Sequence, residues 1–293
     1  MSLFEALVLG LVQGITEFLP VSSDGHLVIF QNLFGMTEPH LLFDVTLHMG
    51  TLAAILFVFR KDVAQLIRAA LRVVVNRKLG DDPDERMLLS IAVGCIPTAI
   101  IGVAFESQFE QLFASMKAAG IGLIITGLFL ISTLFRKASR AQSQPSLSQD
   151  STDAAGCAPA KAYSVPLLHA LLIGTGQGLA IAPGISRSGT TIAIALLFGV
   201  ERESAARFSF LLAIPAILGA FVFEMKDYSP AARGGPQAVG AGAILLGTLV
   251  ALLTGIIALN LLLRVVKRGK ISGFAYYCWA VGLAAIAVGI IKG

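Results

Sequence analysis

The sequence predicts an all-α polytopic membrane protein with about six full spans, two re-entrant helical hairpins and an inverted-topology repeat. Three observations support this prediction: the composition, apolar runs of membrane-spanning length, and a proline-broken polar motif in each half. Hydrophobic residues make up 56% of the 293 residues, charged residues only 14%, and the mean hydropathy is +0.81. Because a soluble domain carries roughly a quarter of its residues charged, this composition indicates a membrane protein.

Six apolar runs are long enough to cross the hydrocarbon core of a bilayer, which takes about 17–25 largely apolar residues. Each run has few or no charges over most of its length. The predicted spans are residues 41–59, 88–105, 118–135, 208–223, 238–263 and 273–291. The first contains Asp44 and His48 but is otherwise largely apolar.

Basic residues are concentrated in three connections between these runs, at residues 60–86, 136–161 and 264–270. The positive-inside rule places such connections in the cytoplasm. The N-terminus, the loops 106–117 and 226–237 and the C-terminus are therefore expected on the outer face. Because basic loops set membrane orientation, the net charge of +4 does not indicate a nucleic-acid partner.

A polar segment at residues 136–163 divides the chain into repeat one, 1–135, and repeat two, 164–293. The segment is rich in Ser, Gln, Ala and Asp. Such a composition cannot bury enough apolar surface to fold, so the segment is predicted to be a flexible cytoplasmic linker.

The two halves share motif residues at one constant offset. Gln13 and Gln177, Ser22 and Ser186, and Gly25 and Gly189 all lie 164 positions apart. Several matches at one offset indicate a duplication. Because three spans follow each motif, the second copy would enter the membrane from the opposite side, as in an inverted-topology repeat.

Neither motif can form a plain spanning helix. Pro20 and Pro183 interrupt helical hydrogen bonding, and the serine-rich runs that follow are too polar to face lipid. Irregular backbone at membrane depth is tolerated only where it is buried in protein or lines a wet cavity. Two re-entrant hairpins that meet near the bilayer centre satisfy this rule and would bring Glu17, His26 and Arg187 together.

These motifs contain the components of a pyrophosphate site with a metal ion. Each serine-rich turn can open a half-helix, whose free N–H groups favour an anion, and Arg187 can bind phosphate oxygens bidentately. Glu17 would repel phosphate unless a divalent cation, Mg²⁺ or Ca²⁺, lies between them. The predicted phosphate-binding residues are Ser22, Asp24, Gly25, Ser186, Ser188, Gly189 and Thr190.

Alternative roles exist for several of these residues. Ionisable side chains inside a membrane are functional by default because they are costly. His26 could nevertheless only cap backbone groups of its turn, and the serines could only satisfy freed carbonyls. Asp44 and His48, four residues apart in a span, could add to the site or pair with one another, and they are not included in the predicted catalytic set. His40 and His169 are expected to be peripheral.

At these motifs the chain resembles the undecaprenyl-pyrophosphate phosphatases of the bacitracin-resistance type. The matching stretches are residues 14–23, 25–26, 183–189 and 208–215, and the resemblance covers nearly the whole chain apart from the linker. It implies removal of the terminal phosphate from a C55 polyprenyl pyrophosphate, which recycles the lipid carrier for cell-wall synthesis. It also implies bacitracin resistance when the protein is abundant.

The resemblance further implies roles for single residues. Glu17 matches an essential carboxylate, Ser23 a proposed nucleophile, His26 a catalytic histidine and Arg187 the phosphate-binding arginine. The implied divalent cation would be held by Glu17 and by Gln13, where many members carry Glu. Asp24 stands where Thr is common and could restore the negative charge that Gln13 lacks.

The family implies a bacterial cytoplasmic (inner) membrane protein with its active site open to the outer face.

The residues do not decide whether Ser23 attacks with His26 as proton acceptor or whether His26 orients a water. A transporter is the rival function, because inverted repeats with broken helices are typical of transporters. The oligomeric state also stays open, with a homodimer as one candidate, and the amphipathic stretch 62–75 is expected on the cytoplasmic membrane surface.

Overall fold

The computed structural model describes residues 1–36, 41–77, 82–142, 165–227 and 239–291. These residues form twelve α-helices and a short 3-10 turn, and they contain no strand. The helices are α1 (Leu3–Thr16), α2 (Ser23–Leu33), α3 (Leu41–Val58), α4 (Arg60–Asn76), α5 (Pro83–Ala104), α6 (Glu106–Phe113), α7 (Met116–Gln142), α8 (Leu167–Leu179), α9 (Arg187–Leu197), α10 (Arg202–Asp227), α11 (Ala241–Lys267) and α12 (Phe274–Ile291).

Five helices, α5, α7, α10, α11 and α12, are long and apolar enough to cross a membrane. They coincide with five of the six predicted spans. The sixth predicted span coincides with α3, which meets the same test only together with α4, across a bend of 85°. The prediction of an all-α multi-pass membrane protein is therefore confirmed.

Helix α4 begins immediately after this bend and contains the predicted amphipathic stretch. Its apolar side chains Ile67, Leu71, Val74 and Val75 are exposed, and Asp62 in its first turn forms an ion pair with Arg207 of α10. The bend and the exposed apolar face suit a helix that lies on a membrane surface. Its location on the cytoplasmic surface stays a prediction.

Two helical hairpins occupy the positions of the predicted re-entrant motifs. In the first, α1 and α2 are separated by a break at residues 17–22, and in the second, α8 and α9 are separated by residues 180–186. Helix α1 has 14 residues and α8 has 13. At 1.5 Å per residue each is about 20 Å long, too short for the roughly 30 Å hydrocarbon core. The hairpins therefore reach only part of the way across.

Close glycine contacts seat each hairpin against a span. A methyl group on Gly10 of α1 would lie 2.5 Å from the carbonyl oxygen of Gly247 in α11, and one on Gly174 of α8 would lie 1.9 Å from that of Gly94 in α5. Small residues permit such backbone approach between membrane helices. Because Gly10 and Gly174 are again 164 positions apart, these contacts agree with a duplication. The opposite orientation of the two halves stays a prediction.

The predicted linker is only partly described. Helix α7 extends to Gln142, so the linker begins later than the predicted residue 136, because the helix continues beyond the apolar run. The remaining linker residues lie outside the described part of the chain. The same holds for His40 and for most of the predicted outer loop at 226–237.

Replacing Gly174 with alanine should lower the thermal stability of the protein in detergent. The added methyl group would overlap the Gly94 carbonyl, and overpacking of this kind costs about 1–3 kcal/mol, or a fall in Tm of about 5 °C. Gly219→Ala is the matched control, because a methyl group at this helical glycine meets nothing within 4 Å. Equal melting temperatures for both variants would contradict the packing assigned to α8 and α5.

Candidate active site

The breaks of the two hairpins meet through an ion pair between Glu17 and Arg187. Glu17 follows α1, Arg187 is the first residue of α9, and an Nη2 N–H of Arg187 donates to Oε1 of Glu17. The carboxylate side chain is only 5% exposed, whereas the guanidinium side chain is 22% exposed. The structure thus brings together the acid and the arginine that the sequence predicts to share one site.

The second carboxylate oxygen of Glu17 contacts three further side chains. The Ser23 hydroxyl donates to Oε2 at 2.6 Å, and the Gln13 amide donates to it at 3.0 Å. The Nε2 atom of His48 lies 3.4 Å from the same oxygen. Glu17 is therefore the residue through which the polar side chains of the first hairpin are organised.

A small cavity, about large enough for a single water molecule, opens beside this ion pair. Its walls come from both hairpins, and they are lined by Glu17, Ser22, Ser23, Asp24, Ile185, Ser186 and Arg187. A second small cavity shares Glu17 and Arg187 and is otherwise lined by Ile55, Ser188, Ser209, Phe210 and Ala213. Of the predicted site residues, Glu17, Ser22, Ser23, Asp24, Ser186 and Arg187 line the first cavity, and Ser188 lines the second together with Glu17 and Arg187.

A helix N-terminus from each half begins at the first cavity. The Ser22 hydroxyl accepts from the Gly25 N–H at 3.2 Å at the start of α2. The Ser186 hydroxyl accepts from the Gly189 N–H at 3.0 Å at the start of α9. The N-terminal ends of helices favour anions through their free N–H groups and their dipole. The site can therefore stabilise phosphate from two sides.

Gly25, Gly189 and Thr190, which the sequence predicts to bind phosphate, do not line either cavity. A methyl group on Gly25 would lie 2.8 Å from the Gly184 Cα, and one on Gly189 would lie 3.2 Å from the Pro20 Cβ. These glycines therefore let the two turns approach each other. The Thr190 hydroxyl is buried without a hydrogen-bond partner among the described residues.

The protein oxygens at the site fit a divalent cation only if the substrate phosphate supplies the remaining ligands. The described residues contain no group of three or more His, Cys, Asp or Glu side chains spaced to hold a metal. Two carboxylates, Glu17 and Asp24, nevertheless line one cavity, and the Gln13 Oε1 atom is buried without a described partner. Because Mg²⁺ often binds through one or two carboxylates plus substrate phosphates, these oxygens fit a cation completed by phosphate.

His26 is turned toward its own turn and toward α12. Its Nδ1 atom lies 2.7 Å from the Ser22 carbonyl oxygen, and its Nε2 atom lies 2.8 Å from the Tyr277 hydroxyl oxygen. The Ser23 hydroxyl donates to Glu17 instead. In this arrangement Glu17, and not His26, is the group in position to accept the Ser23 proton.

His48 is a site residue that the sequence prediction omitted. Its Nε2 atom lies between two carboxylates, 3.4 Å from Glu17 and 3.3 Å from Asp24. Its Nδ1 atom lies 2.8 Å from the backbone carbonyl oxygen of Asp44, whose carboxylate accepts instead from Gln31. An ionisable residue inside a span is a functional candidate by default, and that rule would have included His48.

Thr126 and Tyr277 gave no comparable signal in the sequence. The Thr126 hydroxyl, on α7, donates to the Gly184 carbonyl at 2.9 Å and accepts from the Ser186 N–H at 2.8 Å. Tyr277, on α12, contacts His26. Both are ordinary polar residues within spans. His169, expected to be peripheral, lies beside Phe198 with ring centroids 5.3 Å apart and lines neither cavity.

A buried acid, a hydroxyl, an arginine and two helix N-termini around one cavity define a membrane-embedded phosphate-handling protein. The model of one protein family, described as bacitracin resistance protein BacA, matches residues 6–284. The chain belongs to this family, so the resemblance inferred from the motifs is confirmed.

Several similar proteins are named undecaprenyl-diphosphatase. The chain is 42% identical over 302 residues to that of Desulforapulum autotrophicum, with 99% of this chain and 100% of the relative covered. It is 43% identical over 296 residues to that of Desulfatibacillum aliphaticivorans, with coverage of 98% and 99%. An archaeal relative, from Methanobrevibacter smithii, is 40% identical over 291 residues, with coverage of 97% and 96%.

Replacing His48 with alanine should lower phosphatase turnover by about tenfold or more. The variant removes the group that lies between Glu17 and Asp24, and loss of one partner of a buried charged pair leaves the other uncompensated. Phosphate release by the purified protein measures the effect. The control is His169→Ala, a histidine of α8 outside the site, and a loss confined to that variant would count against a role for His48.

Proposed function

We propose that this protein hydrolyses undecaprenyl pyrophosphate to undecaprenyl phosphate and inorganic phosphate, which recycles the lipid carrier for cell-wall synthesis. Family membership and the names of the relatives support this activity. The single observation that carries it is the convergence of Glu17, Ser23 and Arg187 on one cavity between two helix N-termini. Bacitracin resistance at high abundance follows from the same activity and fits the family.

Ser23 is the nucleophile in the proposed reaction. Its hydroxyl already donates to Glu17 at 2.6 Å, so the proton can pass to that carboxylate as the Ser23 oxygen attacks the terminal phosphorus. The bond from this phosphorus to the bridging oxygen breaks, and undecaprenyl phosphate leaves. Water then cleaves the phosphoserine, which releases inorganic phosphate and restores the Ser23 hydroxyl.

Arg187 and the two turns stabilise the charge of the transferred phosphoryl group. Phosphoryl transfer relies mainly on positioning and electrostatic stabilisation, and preorganised donors are effective in a site that excludes water. Arg187 uses one N–H on Glu17 and has further donors for phosphate oxygens. The N–H groups at the starts of α2 and α9 complete the phosphate site.

A divalent cation, Mg²⁺ or Ca²⁺, is part of the proposal. The carboxylates of Glu17 and Asp24 would hold it, together with the Oε1 atom of Gln13, which has no hydrogen-bond partner among the described residues. When bound, it would neutralise phosphate charge and polarise the phosphoryl oxygens. Glu17 then serves both as a ligand and as the acceptor for Ser23, so its replacement should remove more activity than the replacement of any single turn serine.

The proposed setting is the bacterial cytoplasmic membrane. The linker would lie in the cytoplasm, as the distribution of basic residues predicts, and the active site would open to the outer face, as the family resemblance implies. The polyprenyl pyrophosphate lipid and the membrane itself are the partners. A homodimer is a further prediction, which cross-linking in native membranes would test.

Transport is the second candidate function. The second cavity adjoins the same Glu17–Arg187 pair, so the pair could separate two compartments, as a gate does in a transporter built from broken helices. Movement of labelled lipid phosphate across vesicles without hydrolysis would favour this candidate over the phosphatase.

Replacing Glu17 or Arg187 with alanine should lower phosphate release from polyprenyl pyrophosphate by about 100-fold or more. Each change removes a charge at the reacting centre and leaves the other charge buried without its partner. Arg187→Lys should restore only part of the activity, because lysine lacks the planar fork that binds phosphate. Arg268→Ala, in an exposed basic connection, is the control. Near wild-type turnover in Arg187→Ala would refute the assigned role.

Ser23→Ala should abolish formation of a phosphoenzyme. With substrate labelled on the terminal phosphate, acid quenching of the wild type should trap label on Ser23, and peptide mapping locates it. Ser132→Ala, a serine of α7 whose hydroxyl only bonds back to its own helix, should still form the labelled enzyme. Undiminished turnover in Ser23→Ala would instead indicate that water attacks directly.

A further inference from the structure

We propose that His26 and Tyr277 are positioning residues, which together brace the strained Ser22 turn and so hold Ser23 against Glu17. The proposal rests on the proposed function but assigns His26 a task other than proton transfer. Tyr277 acts through His26, and His26 acts through the Ser22 carbonyl. The term brace is used below for the contacts from Tyr277 to His26 and from His26 to Ser22.

Ser22 has a backbone conformation that needs outside support. Its φ is +66° and its ψ is 104°, and a positive φ is uncommon for a residue with a side chain. Such strain persists only where the surroundings over-determine it. This conformation lets α2 begin at the next residue, Ser23, with the Ser23 hydroxyl 2.6 Å from Glu17. The position of the nucleophile therefore depends on the Ser22 backbone.

His26 supplies much of that support. Its Nδ1 atom and its backbone N–H both point at the Ser22 carbonyl oxygen, at 2.7 Å and 3.3 Å. Because a carbonyl oxygen only accepts, Nδ1 carries a proton. In the neutral ring Nε2 is then an acceptor, and the Tyr277 hydroxyl donates to it at 2.8 Å. Both ring nitrogens are thus engaged in holding the turn.

Tyr277 fixes the imidazole from a rigid element. The two rings are parallel within 4°, with centroids 5.7 Å apart. The next residue on α12, Cys278, contacts the Pro20 carbonyl oxygen at 3.6 Å, so one turn of α12 contacts both the first hairpin break and the first turn of α2. Helix α12 itself packs closely on α7, where a methyl group on Gly120 would lie 2.7 Å from the Gly282 carbonyl oxygen.

The second turn is also held from outside, but without a histidine and with ordinary extended backbone at its capping serine, Ser186 (φ −70°, ψ 118°). Ser186 occupies the position equivalent to Ser22, and Thr126 of α7 fixes its turn through the Gly184 carbonyl and the Ser186 N–H. At the position equivalent to His26, 164 residues later, stands Thr190. A span thus holds each turn from outside. At the second turn the holding side chain is Thr126, whose hydroxyl is not a general base. This comparison supports a positioning role for His26.

The first test compares Tyr277→Phe with Tyr276→Phe in the full-length protein in detergent. Tyr277→Phe keeps the ring but loses the hydroxyl, and kcat should fall about tenfold, the effect of one buried hydrogen bond, while KM stays within about twofold. Tyr276 is 66% exposed and packs on Trp279, so its variant should keep wild-type kcat. Equal kcat for Tyr277→Phe and the wild type would overturn the proposal.

The second test separates positioning from proton transfer at His26. An asparagine amide can donate to the carbonyl four residues earlier, as Asn260 does to Ile256 at 2.7 Å. His26→Asn keeps the bond to the Ser22 carbonyl but loses the one to Tyr277, so it should lose about tenfold, like Tyr277→Phe, whereas His26→Ala should lose about 100-fold. If the asparagine variant is as inactive as the alanine variant, proton transfer is favoured and the brace is wrong. Tyr277→Phe should cause no further loss in the His26→Asn background.

NMR of the His26 ring tests the brace without an activity measurement. The chain has four histidines, so ¹⁵N-histidine NMR can resolve the His26 ring. Its Nδ1 should carry the proton, and its Nε2 signal should shift in Tyr277→Phe but not in Tyr276→Phe. An Nε2-protonated ring, or a signal insensitive to Tyr277→Phe, would refute the brace. If the wild type released no phosphate but the signals behaved as expected, the proposed function alone would fail.

Discussion

The ion pair between Glu17 and Arg187 is the interaction on which the arrangement of this protein depends. An isolated charge at membrane depth is costly, so neither hairpin tip would be tolerated without the other. The pair joins residues 170 positions apart and thereby ties the two halves of the chain at one point. A buried ion pair by itself is weak evidence for stability, so the pair is better explained by the proposed function, which needs an acid and a guanidinium beside one phosphate.

Around this pair the spans pack against the two hairpins and hold the irregular backbone at their breaks. Apolar burial adds little in lipid, so helix association depends on close packing and on hydrogen bonds between helices. Glycines seat α1 on α11 and α8 on α5. Side chains from α3, α7 and α12 then hold the groups that the broken hairpins expose: His48 contacts the two acids, Thr126 the second turn and Tyr277 the histidine of the first.

Within the site, the motif residues were predictable and their partners were not. Glu17, Ser23 and Arg187 lie in contiguous motifs whose residue types already indicate phosphate chemistry. The contacts that His48, Thr126 and Tyr277 make with these motifs join segments far apart in sequence, up to 251 positions in the case of His26 and Tyr277. Asp44 and His48 illustrate the limit, because the sequence leaves open whether they pair or add to the site. In the structure His48 bonds to the Asp44 backbone while its other nitrogen faces Glu17 and Asp24.

The sequence by itself determined the membrane class, the six apolar segments, the two broken hairpins and the family. These features follow from local rules: the thickness of the bilayer sets the length of a span, and proline with polar residues forbids a continuous helix. Only the tertiary structure decided that the Ser23 hydroxyl donates a hydrogen bond to Glu17 and what holds His26. A hydrogen bond depends on distances of a few tenths of an ångström, and here those distances are set by how remote helices pack, which no local pattern of residues records.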